Sequence, residues 1–278
     1  MCNTMNPIIT LKEAQQILQK KEGVLKISLD LGISQTEIEI KEGIVNIQNE
    51  KIPLKNFEKV KEKTCYTLID NTLQPIALFS QESNFYYKLI PTEDWPTFTI
   101  SSTPMHRHTR ISPKVHAQLQ VKEIFPVKGC VLDTCCGLGY TAILAAKYAE
   151  KVYTFEIDPY VVELAKCNPY SQELFNNKKI LLEQKDSCES IVNFKNNFFD
   201  RIIHDPPTFT YAPQLYEKKF HAELYRVLKK DGILYHYCPT PQKTKGNLLY
   251  PRIIRQLREV GFQNVVYHEH SSGIWARK

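Results

Sequence analysis

The sequence predicts an α/β protein: a mainly parallel sheet wrapped by helices, preceded by a small mainly-β (α+β) N-terminal domain. Three observations carry this. From about residue 127, short strands that are apolar throughout alternate with helical stretches, the pattern of a parallel sheet covered on both faces. Before about residue 100, short alternating runs are broken by turn residues. Charge breaks at the same place. Residues 1–104 carry 11 Lys, no Arg and 13 acids (net −2), whereas residues 105–278 carry 25 basic and 17 acidic groups (net +8), including all eight Arg. Domains are therefore expected at 1–104, ending in a linker, and at 105–278.

In the first part, LKEAQQILQKK (11–21) places Leu11, Ala14, Ile17 and Leu18 on one helical face. Strands are expected at 24–31, 36–40, 44–48, 65–70, 75–80 and 85–90, with Gly32 and Glu42–Gly43 as turns. TEDWPTFTISSTP (92–104), with two prolines, is expected to be the linker. In the second part, strands are expected at 129–135, 151–157, 179–184, 200–205 and 232–238. Helices fit 140–149, 159–167, 213–228 and 248–260. Strands at 262–270 and 273–278 close the chain as an antiparallel hairpin. Six or seven strands ending this way describe a Rossmann-like nucleotide-binding sheet.

The 278 residues are 42% apolar and 24% charged, ordinary globular usage that excludes a fibre, a disordered tail and a disulfide-stapled miniprotein. No apolar run reaches the ~18 residues of a membrane span, and MCNTMNPIIT lacks the layout of a signal peptide. The eight Cys contain no CxxC pair, so reduced, buried thiols and a cytoplasmic location are expected.

The segment richest in chemistry is VLDTCCGLGYTA (131–142). A strand ends at Asp133, Gly137 and Gly139 flank Leu138, and a helix begins. Glycine lets the chain turn sharply and lets backbone approach a ligand, while a helix start offers free N–H groups. G-L-G-Y-T-A meets the dinucleotide pattern with Ala142 in third place, so a diphosphate is one candidate ligand. Asp133, four residues before the first glycine, would repel a diphosphate and suit a cation. Glu156 ends the next strand about 20 residues after the glycine turn, where an acid can accept both ribose hydroxyls. Asp158, before Pro159, suits a helix cap. Asp186 and Ser187 follow the third strand.

The fourth strand runs into IIHDPPTF (202–209). Two consecutive prolines remove two N–H donors and leave a stiff loop offering carbonyls and the Asp205 carboxylate. That arrangement suits an amine acceptor, whose N–H groups need acceptors, and Phe209 can wall or stack a planar group. The bland alternative is a rigid loop with a capping Asp. PMHRHTRISP (104–113) packs His106, Arg107, His108 and Arg110 into five residues. Arg107 can pair with a carboxylate or phosphate and His106 can act as a base near neutral pH; a basic interdomain linker is the alternative. No metal site is expected there. Cys238 is the one Cys placed for a nucleophile, though a small buried thiol is the commoner reading. Tyr237, Pro239, Asn168, Tyr170, Tyr211 and Tyr216 are further candidate pocket residues.

Residues ~125–278 resemble the class I S-adenosylmethionine (SAM)-dependent methyltransferases, whose motif is D-x-x-x-G-x-G. The resemblance implies a seven-stranded SAM-methyltransferase sheet, with Asp133, Gly137, Gly139, Tyr140, Glu156, Ile157, Asp186 and Ser187 binding the cofactor. Asp133 would hold the methionine ammonium end, and Asp186–Ser187 would lie where the adenine amino group binds. Asp205, Pro206, Pro207 and Phe209, with His106 and Arg107, would form the catalytic side. DPPTF is similar to the D-P-P-x-F loop of large-subunit ribosomal RNA methyltransferases, although Thr208 stands where amino-group methyltransferases carry an aromatic residue. Residues 199–237 look more like spermidine-synthase-type proteins. Most similar overall is an uncharacterised archaeal-type, spermidine-synthase-like methyltransferase family, through Met105–His106–Arg107, 132–142, 156–159, 168–171 and 204–207.

The expected activity is SAM-dependent methyl transfer to an amine or nucleobase. RNA is narrowly preferred over a small amine because the second part is basic. The alternatives are an aminopropyltransferase using decarboxylated SAM and a non-catalytic binding subunit. A homodimer is possible, and no membrane partner is expected.

Overall fold

The computed structural model describes residues 6–239 and 249–278. Cys2 and residue 248, the first position of an expected helix, lie outside them. The chain divides into two compact units: residues 1–113 with 163–170, and residues 114–162 with 171–278. Residues 105–113, assigned by sequence to the second part, thus group with the first unit.

The first unit contains β1 (Ile8–Ile9), α1 (Leu11–Lys20), β2 (Gly23–Ile27), β3 (Thr36–Lys41), β4 (Ile44–Ile47) and β5 (Glu50–Pro53). It continues with β6 (Tyr66–Ile69), β7 (Thr72–Pro75), β8 (Ala77–Ser80), β9 (Phe85–Ile90), β10 (Thr97–Ile100) and β11 (Thr103–Pro104). Helix α1 starts in a capping box. Thr10 caps the first turn, and Glu13 Oε2 accepts from the Thr10 amide at 3.0 Å. Its Ala14 and Ile17 are buried in a core with Ile27, Ile40, Val45, Ile47, Ile52 and Phe57. That core includes the inward residues of the four-stranded sheet β2–β3–β4–β5. Two further sheets complete the unit, the three-stranded β1–β6–β7 and the four-stranded β8–β9–β10–β11. The expected linker 92–104 therefore contains two paired strands, β10 and β11. Its T-F-T-I run is β10, fully buried and paired with β9, because the two prolines flank that strand instead of interrupting it.

The second unit carries α2 (Pro113–Glu123, whose first residue belongs to the first unit), β12 (Cys130–Asp133), α3 (Tyr140–Ala146), β13 (Lys151–Phe155) and α4 (Pro159–Cys167, which passes into the first unit at Glu163). Then come α5 (Gln172–Asn176), β14 (Ile180–Glu183), α6 (Ser187–Ile191), β15 (Phe199–His204) and α7 (Lys218–Val227). Finally come β16 (Leu228–Tyr237), α8 (Leu249–Val260), β17 (Gln263–His268) and β18 (Gly273–Arg277). These strands form one seven-stranded sheet in the order β14–β13–β12–β15–β16–β18–β17. The first five are parallel, and β18 runs antiparallel to both its neighbours. The Rossmann-like expectation holds, including the closing hairpin. The expected helix over 213–228 is a short 3₁₀ turn at Pro213–Tyr216 followed by α7.

The chain leaves β12 toward β13 on one side and leaves β15 toward β16 on the other. The neighbours β12 and β15 are thus the switch point of the sheet, and their C-terminal ends flank the crevice where such folds bind ligands. The turn after β12 needs its glycines. Gly137 and Gly139 have φ of +54° and +79°, and Gly139 caps α3. A methyl at Gly139 would sit 2.8 Å from Leu174 Cδ2. Gly139→Ala is expected to destabilise the fold by about 2 kcal/mol, from left-handed strain plus overpacking. Urea unfolding of the variant reads this directly.

Candidate active site

Asp133 ends β12 and is fully buried. Its Oδ2 accepts from Thr141 Oγ1 on α3 (3.2 Å) and from Thr154 Oγ1 (3.0 Å), the residue beside it on β13. Its Oδ1 is buried without a hydrogen-bond partner. Burial pushes this carboxyl up to about 8, the nearby Asp205 adding to the effect and the Thr154 hydroxyl opposing it.

Glu156, just past β13, reaches back to the glycine turn. Its Oε2 accepts from the Gly137 amide at 2.9 Å, and its Oε1 from the Asp158 amide at 3.0 Å. Burial nevertheless raises it to about 7. Each oxygen keeps a further lone pair for a hydroxyl. Beside it Ile157 is largely exposed, while Tyr140 is buried at the start of α3. Asp158 Oδ1 accepts from the Tyr160 amide and caps α4. Asp186 Oδ1 accepts from the Cys188 amide at 2.7 Å and caps α6, with Ser187 buried behind it. Asp133, Gly137, Gly139, Glu156 and Asp186 thus stand at the same ends of three adjacent strands.

Asp205 follows β15 across the switch point from Asp133. Gln120 Nε2, on α2, donates to Asp205 Oδ2 at 2.7 Å. Burial raises the carboxyl to about 6, with that hydrogen bond opposing. Pro206 is buried. The hydroxyl of the buried Tyr216 donates to the Pro207 carbonyl at 2.7 Å. The sequence expectation offered both proline carbonyls to an acceptor; Tyr216 engages that of Pro207 and, more weakly at 3.5 Å, that of Pro206, which keeps a second lone pair. Phe209 is 42% exposed, its ring 5.6 Å from that of Tyr216. The Cys238 thiol is fully buried and pushed up to about 12, so it is no thiolate nucleophile. His106 and Arg107 belong to the first unit, where Thr97 Oγ1 and His106 Nδ1 lie 3.1 Å apart. Asn168 and Tyr170 group with that unit as well.

Sequence reasoning missed the supports of these loops. Gln120 carried no motif. Three histidines form a buried row beneath the Asp205 loop. His204 Nδ1 meets Thr134 Oγ1 (2.7 Å) and its Nε2 meets the Leu215 carbonyl (3.1 Å). His236, its partner in register on β16, meets His221 Nε2 at 3.2 Å. The carbonyl contact makes His204 Nε2 the donor, so Thr134 donates to Nδ1. Burial lowers all three, His236 to about 4 and His221 to about 2. The unfolded chain therefore takes up protons below about 6.5 that the native chain refuses, and this stabilisation is lost as pH falls. The buried carboxyls act in the opposite sense, so the histidine contribution is read by difference. The stability advantage of the wild type over His221→Gln is expected to shrink by about 2 kcal/mol from pH 6.5 to pH 5. Denaturant unfolding at both pH values measures it; a constant gap would refute the neutral row.

Comparison with known proteins agrees with this geometry. A methyltransferase-domain family model matches residues 131–232. An uncharacterized protein of Methanocaldococcus jannaschii is 39% identical over 289 aligned positions, covering 99% of this chain and 96% of that protein. A polyamine aminopropyltransferase of Prochlorococcus marinus is 26% identical over 160 positions, so the match spans about half of each chain (54% and 55%). Among solved structures, a spermidine synthase crystallised with a transition-state analogue superimposes with a TM-score of 0.58 at 20% identity, covering 72% of this chain and 70% of that one. The chain belongs to the family of this archaeal relative, and its residues 131–232 are a methyltransferase domain. It is a transferase with a spermidine-synthase-like fold, and SAM is the cofactor of its methyltransferase domain. The residues present fit that cofactor. An unpartnered, buried carboxylate oxygen calls for a cationic N–H donor, and Glu156 keeps lone pairs for a diol. No helix among the described residues is long and apolar enough to cross a membrane.

Proposed function

We propose that this protein transfers the methyl group of SAM to an amine held at Asp205. The observation that carries the reading is a pair of carboxyls at the C-terminal ends of the two switch-point strands, Asp133 fully buried and Asp205 half-buried. Asp133 has an oxygen without a partner, and Asp205 is held by Gln120 with its carboxyl at about 6. In this reading Asp133 binds the ammonium of the cofactor, Glu156 its ribose, and Asp186 with Ser187 its adenine edge. The Gly137–Gly139 turn, with Tyr140 and Ile157, shapes the rest of that site. SAM supplies an electrophilic methyl on a sulfonium.

Asp205 and the Pro206 carbonyl accept N–H bonds from the acceptor, so that its lone pair faces the methyl. With a carboxyl near 6, Asp205 is ionised at neutral pH and can take the proton that an ammonium acceptor must shed before it attacks. Phe209 walls the outer side. Pro207, with its carbonyl on Tyr216, keeps the loop stiff. RNA is the finer proposal, supported by the +8 balance of residues 105–278.

Aminopropyl transfer from decarboxylated SAM is the second reading, favoured by the aminopropyltransferase relatives. The strand-end Asp133 before the glycine turn supports methyl transfer instead, since it follows the methyltransferase motif. The test is a labelled-methyl screen over RNA, protein and small amines including polyamines. The proposal expects label on a nitrogen of one class. Label on none of them, with aminopropyl transfer to a polyamine under the same conditions, would overturn it.

A further inference from the structure

We propose that Glu123, His268 and His270 form a second site, one that binds a divalent transition-metal ion, zinc being the best match. All three belong to the second unit and lie outside the crevice residues discussed above. Glu123 is the last residue of α2, and the two histidines stand at and just beyond the end of β17. Glu123 Oε2 is 2.8 Å from His268 Nδ1, and Glu123 Oε1 is 2.9 Å from His270 Nε2. The ligand atoms of the three side chains lie within 4.8 Å of one another.

Two features distinguish this from a simple ion pair. Glu123 Oε1 is buried and, although 2.9 Å from an imidazole nitrogen, has no hydrogen bond of acceptable angle. His268 Nδ1 and Glu123 Oε2 are hydrogen-bonded at 2.8 Å, so it is at His270 that the carboxylate keeps an unmatched oxygen. The two imidazole rings also stack nearly parallel, 21° apart with centroids at 5.6 Å, and each places a nitrogen within 2.9 Å of one carboxylate. An ion with bonds of about 2.0–2.2 Å holds tetrahedral ligands about 3.3 Å apart, within reach of small ring rotations. The Glu123 side chain is 7% exposed and that of His270 61%, so a rigid ligand stands at an open mouth. Two imidazoles and one carboxylate suit zinc and leave a coordination position for water.

The backbone is already held. Trp275 Nε1 on β18 donates to the Glu123 carbonyl at 3.0 Å, which fixes the end of α2 against the closing hairpin. The buried row His204–His221–His236 is a poorer candidate, because both nitrogens of His204 and Nδ1 of His236 are already bonded.

The experiment titrates chelator-stripped protein with zinc chloride by calorimetry, and with cobalt(II) chloride by visible absorption. The proposal expects one ion per chain and a cobalt d–d band. His270→Ala and His270→Gln should each weaken binding at least about tenfold, and His221→Gln should leave it unchanged. His270 is exposed, so its variants should keep the fold, as circular dichroism checks. Fewer than half an equivalent of zinc, or the same binding in a His268→Ala, His270→Ala double variant, would overturn it.

Discussion

Asp133→Asn is expected to weaken SAM binding at least 100-fold, about 2.7 kcal/mol, while leaving the chain folded. The carboxyl is fully buried, its Oδ1 has no partner, and only two threonine hydroxyls offset its desolvation. A cation placed there gains a charge pairing that an amide cannot replace. The same substitution should change how stability depends on pH. The native carboxyl titrates at about 8, against about 3.9 in an unfolded chain. Between those values the native state holds a proton that the unfolded state has lost, so stability falls as pH rises, by up to about 1.4 kcal/mol per pH unit. Asparagine removes that slope. Ligand-free Asp133→Asn should therefore gain stability relative to the wild type between pH 5 and pH 8; parallel curves would mean that the carboxyl is not a burden on the fold. A cation that ionises Asp133 should also expel close to one proton near pH 7, which calorimetry in buffers of different ionisation heat reads.

Asp205→Asn is expected to lower turnover by about 100-fold or more and to leave SAM affinity within about threefold. Its carboxylate is positioned by Gln120 and stands across the switch point from Asp133, where we propose the acceptor binds. The rate should rise with pH through about 6, as the carboxyl ionises. Gln120 donates to the carboxylate and holds its value down, so Gln120→Leu should shift that rising limb to higher pH. A variant that loses rate with no shift of the limb would show that Gln120 supports only the fold. Loss of SAM binding in Asp205→Asn would place this residue with the cofactor instead.

The parts of the site legible in the sequence are those built from contiguous chain. Asp133, the glycine turn and Glu156 announce themselves because a strand, a turn and a helix start place them within 24 residues. The Pro206–Pro207 pair is legible because it removes backbone donors. What escaped reading depends on tertiary contact. Gln120 meets Asp205 from 85 residues away, on a helix that carries no motif. Tyr216 was named as a pocket candidate, but its hydrogen bond to the Pro207 carbonyl depends on the fold. The histidine row arises because His204 and His236 share a register across two parallel strands, and no periodicity reveals that pairing. In the first unit, β10 was hidden by its flanking prolines, which are strong loop signals when read one residue at a time.

The central claim is that Asp133 and its neighbours form a SAM site serving methyl transfer. Calorimetric titration with SAM, beside decarboxylated SAM under the same conditions, tests it most directly. Tighter binding of SAM, abolished by Asp133→Asn, is the expected result. Tighter binding of decarboxylated SAM would contradict it and assign the crevice to aminopropyl transfer.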